Sequence, residues 1–174
     1  MIKGLTTSDL KEVEETFYQS FSVEEAPITY PVIRDLIAEK TDPEALCLGY
    51  EIDGQVVSAV AFSPVYFPHS EITAYILAPL ATHKMHQKKG LATQLINAAK
   101  AHLKDNGVGV LLVYGDPEYY GRYGFCADLG KRFIPPYPLE FAFGWQALNL
   151  NDEELSPGPH EFTCVNALSD PNLW

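Results

Sequence analysis

The sequence has few cysteines, few basic residues and no long apolar run, and each of these absences argues against a class of protein or of partner. Its three cysteines, Cys47, Cys126 and Cys164, are odd in number, scattered and without the spacing of a metal site, so we expect free thiols and no bound metal. No apolar run is long enough to cross a bilayer, and the polar stretch after Met1 lacks the core of a signal peptide. We therefore expect a cytoplasmic protein without a membrane partner.

Basic residues are also scarce. The chain has 12 Lys and Arg against 23 Asp and Glu, which gives a formal net charge of −11. Such a charge argues against nucleic acid as a partner, because phosphate backbones are bound by basic surfaces. It mildly favours a cationic or amine-bearing partner, although surface acidity also serves solubility alone.

The chain does contain enough apolar material for one folded domain. Of its 174 residues, 47% are hydrophobic, which is ordinary for a globular protein and too high for disorder. The sequence shows no internal repeat and no low-complexity tract. We therefore expect a single domain over residues 1–174.

Residues 72–125 carry the most informative pattern. Residues 72–80 are apolar and rich in β-formers, and 108–113 form a continuous apolar run of strand length. Between them a helix begins near Gln87 and stops at Asp105-Asn106-Gly107. The apolar stripe of this helix consists of Leu91, Leu95, Ala98, Ala99 and Leu103. The order predicts a right-handed βαβ unit with an anion site at the carboxyl end of its first strand.

The helix start, Gln87-Lys88-Lys89-Gly90-Leu91-Ala92, has the chemistry of a phosphate site. The first N–H groups of a helix lack intrahelical partners, and the helix dipole adds partial positive charge there. Gly90 has no Cβ, so a phosphate can approach the backbone closely. Lys84, Lys88 and Lys89 concentrate positive charge on the same turn. The alternative interpretation is a basic, solvated helix start, since short glycine motifs recur by chance.

The same hexapeptide resembles the Q/R-x-x-G-x-G/A motif of the GNAT superfamily of acyl-CoA N-acyltransferases. Leu80-Ala81-Thr82 looks like the end of that family's fourth strand, and Tyr120-Gly121-Arg122-Tyr123-Gly124-Phe125 like its Y-x-x-x-G-F element after the fifth strand. Residues 115–125 are especially similar to a bacterial branch of predicted N-acetyltransferases with the motif G-D-P-x-Y-Y-G-R-x-G-F. The resemblance covers residues 74–125, where the motifs stand in the family's order and spacing.

The resemblance implies an α+β fold with α/β/α layers. The sheet is mixed but mostly antiparallel, splayed between its fourth and fifth strands and flanked by helices. The remaining predicted elements are a first strand in 1–5, helices over 10–21 and 31–39, a hairpin of 45–52 and 55–62 turned at Asp53-Gly54, and a proline-rich loop over 63–70. Residues 141–150 and 160–165 are predicted to pair as the sixth and seventh strands, and 166–174 to form a tail.

By resemblance, the splay admits the pantetheine arm of acetyl-CoA. The backbone of Leu80 would face the thioester carbonyl as an oxyanion site, Thr82 would bond pantetheine, and the N–H groups of residues 87–93 would hold the pyrophosphate. The residues assigned to cofactor binding are Leu80, Ala81, Thr82, Gln87, Lys88, Lys89, Gly90, Leu91, Ala92, Thr93, Tyr119 and Tyr123. For Tyr119 and Tyr123, packing is the favoured alternative.

Tyr120 is the predicted general acid for the departing CoA thiolate. That thiolate should be about as basic as a cysteine thiolate, with a pKa of about 8.5, while a tyrosine hydroxyl has a pKa of about 10. The phenol is therefore protonated at neutral pH and can donate to the leaving sulfur. The alternative is that Tyr120 only packs among its aromatic neighbours.

The sequence does not assign a general base. Many GNAT enzymes place a glutamate on the fourth strand, but residues 72–82 contain no acid, and Glu71 lies at the wrong end of the strand. The other candidates are His83, Asp116, Glu118 and Tyr75. A water chain is the further alternative.

The predicted function is an N-acetyltransferase that moves an acetyl group from acetyl-CoA to a primary amine of a small molecule or peptide. A non-catalytic acyl-CoA-binding or sensing module on the same fold is the alternative. Another nucleotide-binding domain fits less well, because the turn lacks the second glycine of a dinucleotide fingerprint and the G-K-[ST] of a P-loop. The sequence leaves the acceptor and a homodimer open.

Overall fold

The computed structural model describes all 174 residues of the chain. The β-strands are β1 (Ile2–Gly4), β2 (Leu46–Ile52), β3 (Gln55–Tyr66), β4 (Ala74–Thr82), β5 (Val110–Tyr114), β6 (Phe133–Ile134), β7 (Trp145–Asn149), β8 (His160–Glu161) and β9 (Thr163–Cys164). The α-helices are α1 (Leu10–Ser20), α2 (Ala26–Ala38), α3 (Leu91–Asp105), α4 (Pro117–Gly121) and α5 (Ala127–Gly130). None of the helices combines the length and apolar character that crossing a bilayer requires.

Seven strands form one mixed sheet. They are hydrogen-bonded in the order β1-β2-β3-β4-β5-β7, and β9 pairs with β3. The β1–β2, β2–β3, β3–β9 and β5–β7 pairs are antiparallel, while β4 and β5 are parallel. A parallel pair needs a crossover connection, and α3 lies between β4 and β5 in the chain. This sheet with its flanking helices confirms the predicted α+β class.

The pairing between β4 and β5 ends before β4 itself ends. Parallel pairing runs from Ala74 opposite Val110 to Leu77 opposite Val113. Strand β4 then continues through Leu80 to Thr82. The segment assigned to the acyl group therefore lies in the part of β4 that extends past its last pair with β5.

The chain divides into two compact units, and the expectation of a single domain stays a prediction. The first unit comprises Met1–Ser63 and Ala78–Ala99. In it, α1 packs on α2 through the rings of Phe17 and Tyr30, whose centroids are 6.3 Å apart. The Thr16 hydroxyl donates to the Val56 carbonyl at 2.7 Å and ties α1 to β3. The Asp53-Gly54 turn has φ of 50° and 78°, as predicted for the β2–β3 hairpin.

The second unit comprises Pro64–Leu77 and Lys100–Trp174. Its core is built on β5, where Leu111 and Leu112 are fully buried. The ring of Trp145 stacks on Phe162 at 6.0 Å, and its indole N–H donates to the Phe133 carbonyl at 3.0 Å. The buried Trp145 side chain thus links β7 to β6 and to Phe162.

The second helix begins earlier than predicted. Helix α2 starts at Ala26, and the prediction of a start at Pro31 is wrong. Pro27 lies in the first turn, where its missing N–H would have had no helical partner, so it does not block the start. Burial of Tyr30 against Phe17 then stabilises the turn that precedes Pro31.

The predicted loop over 63–70 and the predicted strand over 160–165 are both partly wrong. Strand β3 runs through Pro64 to Tyr66, because Val65 and Tyr66 pair with Cys164 and Thr163 of β9. The last strand is split at Phe162, which is buried. Its first half is β8 and pairs in parallel with β6, so it does not pair with β7 as predicted.

Two further segments are more structured than predicted. Residues 141–150 contain a 3-10 turn, Ala142–Gly144, before β7 begins at Trp145. The predicted tail over 166–174 contains two 3-10 turns and ends in Trp174, which is buried and donates its indole N–H to the Leu168 carbonyl at 3.0 Å. Contacts with distant parts of the chain hold these turns, because the Gly115 N–H donates to the Gly144 carbonyl at 3.0 Å and the Trp174 ring lies 6.0 Å from the Trp145 ring.

The three cysteines, all free as predicted, differ in accessibility. Cys47 is buried, Cys164 is half-buried and Cys126 is exposed. Desolvation raises the pKa of Cys47 and of Cys164 to about 12. Because the thiolate is the reactive form, we expect Ellman's reagent to modify Cys126 rapidly in the native protein and the other two only after denaturation. A Cys126→Ser variant should lose the rapid phase. A second rapid equivalent in that variant would contradict the raised pKa of the other two thiols.

Candidate functional site

The turn after β4 is closed by hydrogen bonds within the first unit. The His83 N–H donates to the Val57 carbonyl at 2.9 Å, which anchors the end of β4 to β3. The Gln87 side-chain amide donates to the Thr82 carbonyl at 3.0 Å and spans the turn. Gln87 therefore has a structural use for one N–H of its side chain.

The backbone at Lys88 and Gly90 sets the start of α3. Lys88 has φ 61° and Gly90 has φ 77°, both in the left-handed region. The Gly90 carbonyl accepts the Gln94 N–H at 3.1 Å, so Gly90 is the residue from which α3 departs. A Cβ built on Gly90 meets no atom within 4 Å. Glycine is therefore favoured here by backbone angle, and the space beside it is open.

The predicted phosphate-binding residues differ in exposure. Lys88, Lys89 and Gly90 are exposed, while Leu91 is buried and contributes to the core. None of the salt bridges involves Lys88 or Lys89. The start of a 15-residue helix thus carries uncompensated positive side chains beside the positive end of its dipole. Such an arrangement can hold an anion.

The end of β4 is supported by Ser58, a residue that the sequence did not single out. Ser58 is fully buried, and its hydroxyl donates to the Ala81 carbonyl at 3.0 Å. The hydroxyls of Ser58 and Thr82 lie 2.7 Å apart. Since the only Ser58 proton is used on Ala81, Thr82 is the donor in this pair and keeps its own oxygen lone pairs. A serine in an apolar strand has no sequence signature that would reveal this role.

In the second unit, three tyrosines form a cluster in α4 and just after its end. The rings of Tyr119 and Tyr120 meet edge to face with centroids 5.0 Å apart, and Tyr119 and Tyr123 do so at 5.6 Å. The Tyr123 hydroxyl donates to the Tyr119 hydroxyl at 3.3 Å. The Arg122 guanidinium lies over the Tyr119 ring, 4.5 Å from its centroid. Arg122 is thus stacked on this cluster, in keeping with a packing role.

The Tyr120 ring packs against Gly115. A Cβ on Gly115 would lie 2.5 Å from the Tyr120 ring, so only glycine allows this approach. On its other side the ring meets Phe125, with centroids 6.0 Å apart. The sequence motif contains Gly115, but the motif alone does not show that this glycine makes room for the tyrosine ring.

Tyr119 and Tyr120 are half-buried and Tyr123 is buried, and the resulting desolvation affects the acid–base chemistry of the cluster. Desolvation raises the pKa of Tyr120 well above its usual value, and the neighbouring Tyr123 and Asp116 add to this by disfavouring a second negative charge. Desolvation also raises the pKa of Tyr119, with a further contribution from its hydrogen bond with Tyr123. Both phenols are therefore protonated throughout the neutral pH range.

The candidate bases lie in dissimilar surroundings. Tyr75 is buried in β4. The His83 ring accepts the Met85 N–H at 3.2 Å through Nδ1, and Asp116 caps α4 by accepting the Glu118 N–H at 2.9 Å. Glu118 is exposed. His83 and Asp116 thus have structural bonds, and the structure does not single out one of the four as a base.

Comparison with known families identifies the chain. A sequence model of the acetyltransferase (GNAT) domain matches residues 1–127. The chain belongs to the GNAT family. The match includes both the turn at the start of α3 and the Tyr120 motif, so the recognition made from the sequence is confirmed at the level of the family.

Two curated relatives of this GNAT protein are N-acetyltransferases of Escherichia coli. It is 37% identical to the uncharacterized N-acetyltransferase YhbS over 73 residues, which are 42% of this chain and 44% of that protein. This match therefore spans less than half of the relative. This chain is also 28% identical to the uncharacterized N-acetyltransferase YjhQ over 158 residues, which are 88% of this chain and 84% of that protein.

Solved structures share the GNAT fold. A crystal structure of Escherichia coli YhbS in complex with CoA has a TM-score of 0.83 at 24% identity, covering 98% of this chain and 92% of that chain. A GNAT acetyltransferase of Brucella melitensis in complex with acetyl-CoA has a TM-score of 0.72 at 23% identity, covering 97% of each chain. At these identities the comparison confirms the fold.

Burial of Tyr120 predicts a stability loss at alkaline pH. Its pKa is about 10 in the unfolded chain and higher in the folded protein, so it does not affect the pH dependence below pH 10. Above that pH the unfolded chain loses a proton that the folded protein keeps, and stability falls as pH rises, by up to about tenfold in the folding equilibrium per pH unit.

Urea unfolding of the wild type and of Tyr120→Phe at pH 8 and pH 11 measures this effect. The stability of the wild type relative to the variant should fall between the two values. Comparison with the variant cancels the titration of the tyrosines outside this cluster and of the thiols. A relative stability that does not change with pH would show that the pKa of Tyr120 is not raised.

Proposed function

We propose that this GNAT protein is an acetyl-CoA-dependent N-acetyltransferase that acts on a primary amine of a small molecule or peptide in the cytoplasm. The observation that carries the proposal is the turn at Lys88 and Gly90, which starts α3 with left-handed backbone angles and exposed lysines. Crystal structures of two GNAT proteins with the same fold contain CoA or acetyl-CoA. No metal enters the proposed reaction.

The pyrophosphate of CoA would be bound mainly by the main chain. The N–H groups of residues 87–93 supply donors at a helix start, where the dipole also favours an anion. Exposed Lys88 and Lys89 add charge, whereas buried Leu91 and half-buried Ala92 contribute through their backbone only. The open space beside Gly90 supports this assignment, because a phosphate needs room near the backbone.

The acyl and pantetheine groups would bind along the end of β4. Thr82 donates to Ser58 and keeps lone pairs with which it can accept a pantetheine amide N–H. The backbone of Leu80 and Ala81 would lie beside the thioester, with the Leu80 N–H as the donor to its carbonyl oxygen. Ser58 is then a positioning residue, because it fixes both Ala81 and Thr82 through its hydroxyl.

Tyr120 would act as the acid. The amine nitrogen attacks the thioester carbonyl carbon, a C–N bond forms, and the C–S bond breaks. The sulfur takes the phenol proton, and the proton lost from nitrogen returns to Tyr120 through water. Because burial raises the pKa of Tyr120, a free phenolate is costly, so donation to sulfur and the return of the proton should be closely coupled.

Substitution of Gly90 by glutamate tests the phosphate site. A negative charge about 4 Å from a phosphate charge costs about 4 kcal/mol near a protein surface, so we expect CoA affinity to fall at least about 100-fold. Titration calorimetry with CoA measures the change. Gly54→Glu is the matched control, since Gly54 has φ 78° and equally open surroundings in the β2–β3 turn.

Both Gly90→Glu and Gly54→Glu introduce the same charge and a similar backbone strain of about 1–2 kcal/mol. They should lower the melting temperature to a similar extent, while only the substitution at Gly90 weakens CoA binding. Unchanged CoA affinity in Gly90→Glu, or an equal loss of affinity in Gly54→Glu, would reject the phosphate site at the start of α3.

Acetylation of an amine panel tests the enzyme. Wild-type protein with acetyl-CoA should release CoA in step with N-acetylated product. Both products should be measured by chromatography, because Cys126 would react with thiol reagents. Tyr120→Phe should lower turnover about 100-fold and leave CoA affinity unchanged. Tyr137→Phe, which removes a hydroxyl that donates to the Ser169 carbonyl, should have no effect on turnover.

The same assays separate the acyl-CoA sensor from the enzyme. The lack of an acid anywhere in β4 is the observation that favours a sensor. CoA binding without acetylation of any amine would favour that function. Full turnover in Tyr120→Phe would retain the enzyme and remove Tyr120 from its mechanism.

A further inference from the structure

Two phenylalanines in the second unit are exposed side by side. Phe141 is 53% exposed and Phe143 is 69% exposed, and their ring centroids lie 5.9 Å apart. We call them the aromatic pair. Adjacent exposed aromatic rings offer an apolar surface to a ligand or partner.

The aromatic pair is held in a fixed turn. The Gly144 N–H donates to the Phe141 carbonyl at 2.9 Å, and the Phe141 N–H donates to the Tyr114 hydroxyl at 2.8 Å. A Cβ on Gly144 would lie 2.9 Å from the Gly115 carbonyl oxygen, so the two backbones are in close contact. The side-chain amide of Gln146 donates to the carbonyls of Gly115 and Gly144, each at 3.2 Å. The turn is thus pre-organised.

A hydrogen bond connects this turn to Gly115, against which the Tyr120 ring packs. The Gly115 N–H donates to the Gly144 carbonyl at 3.0 Å. Gly115 also contacts the Tyr120 ring, as described above. Since Tyr114 ends β5 opposite Trp145, the aromatic pair lies at the carboxyl end of β5. Ligands of open α/β sheets bind at the carboxyl ends of parallel strands.

The surroundings of the aromatic pair favour a cation. Glu140 directly precedes Phe141 in the chain, and Asp116 directly follows Gly115. Both are exposed and neither forms a salt bridge, although Asp116 accepts the Glu118 N–H. The three basic side chains of residues 117–140 have other partners. Arg122 stacks on Tyr119, Lys131 pairs with Asp128 at 2.8 Å, and Arg132 donates to the Leu155 carbonyl at 2.7 Å. Carboxylates without a salt bridge, next in the chain to Phe141 and to Gly115, match a molecule with an ammonium group and an apolar substituent.

We infer that the aromatic pair binds the apolar substituent of the acceptor, so that the substrates are primary amines with an aromatic or alkyl group. This inference rests on the proposed acetyl transfer. Phe141 and Phe143 are then specificity residues, and they take no part in the transfer of the acetyl group or of protons. Their contact with the substituent adds binding energy for such amines relative to hydrophilic amines.

The test compares two primary amines of similar basicity, 2-phenylethylamine and ethanolamine. Wild-type protein should have the higher kcat/KM for 2-phenylethylamine. A Phe141→Ala/Phe143→Ala double variant should lose about tenfold in kcat/KM for this amine, and its kcat/KM for ethanolamine should not change. Ile134→Ala is the matched control, because Ile134 is an exposed apolar side chain of the same unit, 40% exposed.

An equal loss for both amines, or no loss for either, would overturn the inference while acetyl transfer stands. If no amine is acetylated, the proposed function fails, and saturation-transfer NMR with 2-phenylethylamine then decides the inference. Contact signals in the wild type that disappear in the double variant would support it, and their absence in the wild type would overturn it. Dissociation of a wild-type dimer in the double variant, detected by sedimentation, would also overturn it, because a second copy would cover the pair.

Discussion

The conformation of the turn between β4 and α3 is the constraint on which the candidate site depends. Two residues, Lys88 at φ 61° and Gly90 at φ 77°, adopt left-handed angles there. Glycine accepts such angles freely, whereas an L-residue is destabilised by about 1–2 kcal/mol. The strain therefore lies on Lys88, and the bond from the Gln87 side chain to Thr82 helps to offset it. The direction of the first α3 N–H groups follows from the main chain rather than from particular side chains.

Glycine has a different use in the second unit. Gly115 and Gly144 are needed for close packing, since a Cβ on either would lie under 3.0 Å from a neighbouring atom. Gly115 admits the Tyr120 ring, and Gly144 admits the Gly115 backbone. The position of Tyr120 and the position of the aromatic pair are therefore set by the same backbone contact. A change that separates Gly115 from Gly144 would disturb both.

Features encoded by neighbouring residues were predictable from the sequence. The Asp53-Gly54 hairpin, the left-handed Gly107 after α3 and the turn at Gly90 each depend on a glycine within a short segment. The split of the last strand at Phe162 was not predictable, because it depends on stacking with Trp145. The continuation of β3 through Pro64 depends likewise on pairing with a strand about a hundred residues away.

The binding sites proposed for the two substrates differ in the same way, one being encoded locally and the other by distant segments. A carrier bound by backbone N–H groups leaves a short motif, because the required angles restrict the residues at the turn itself. An acceptor bound by side chains leaves no such motif, because Phe141 and Phe143 are exposed only through a turn fixed by Tyr114 and Gly115. In the sequence alone, these phenylalanines fit a buried strand equally well. The carrier could thus be inferred from local sequence, whereas the proposed choice of amine depends on contacts between segments that are distant in the chain.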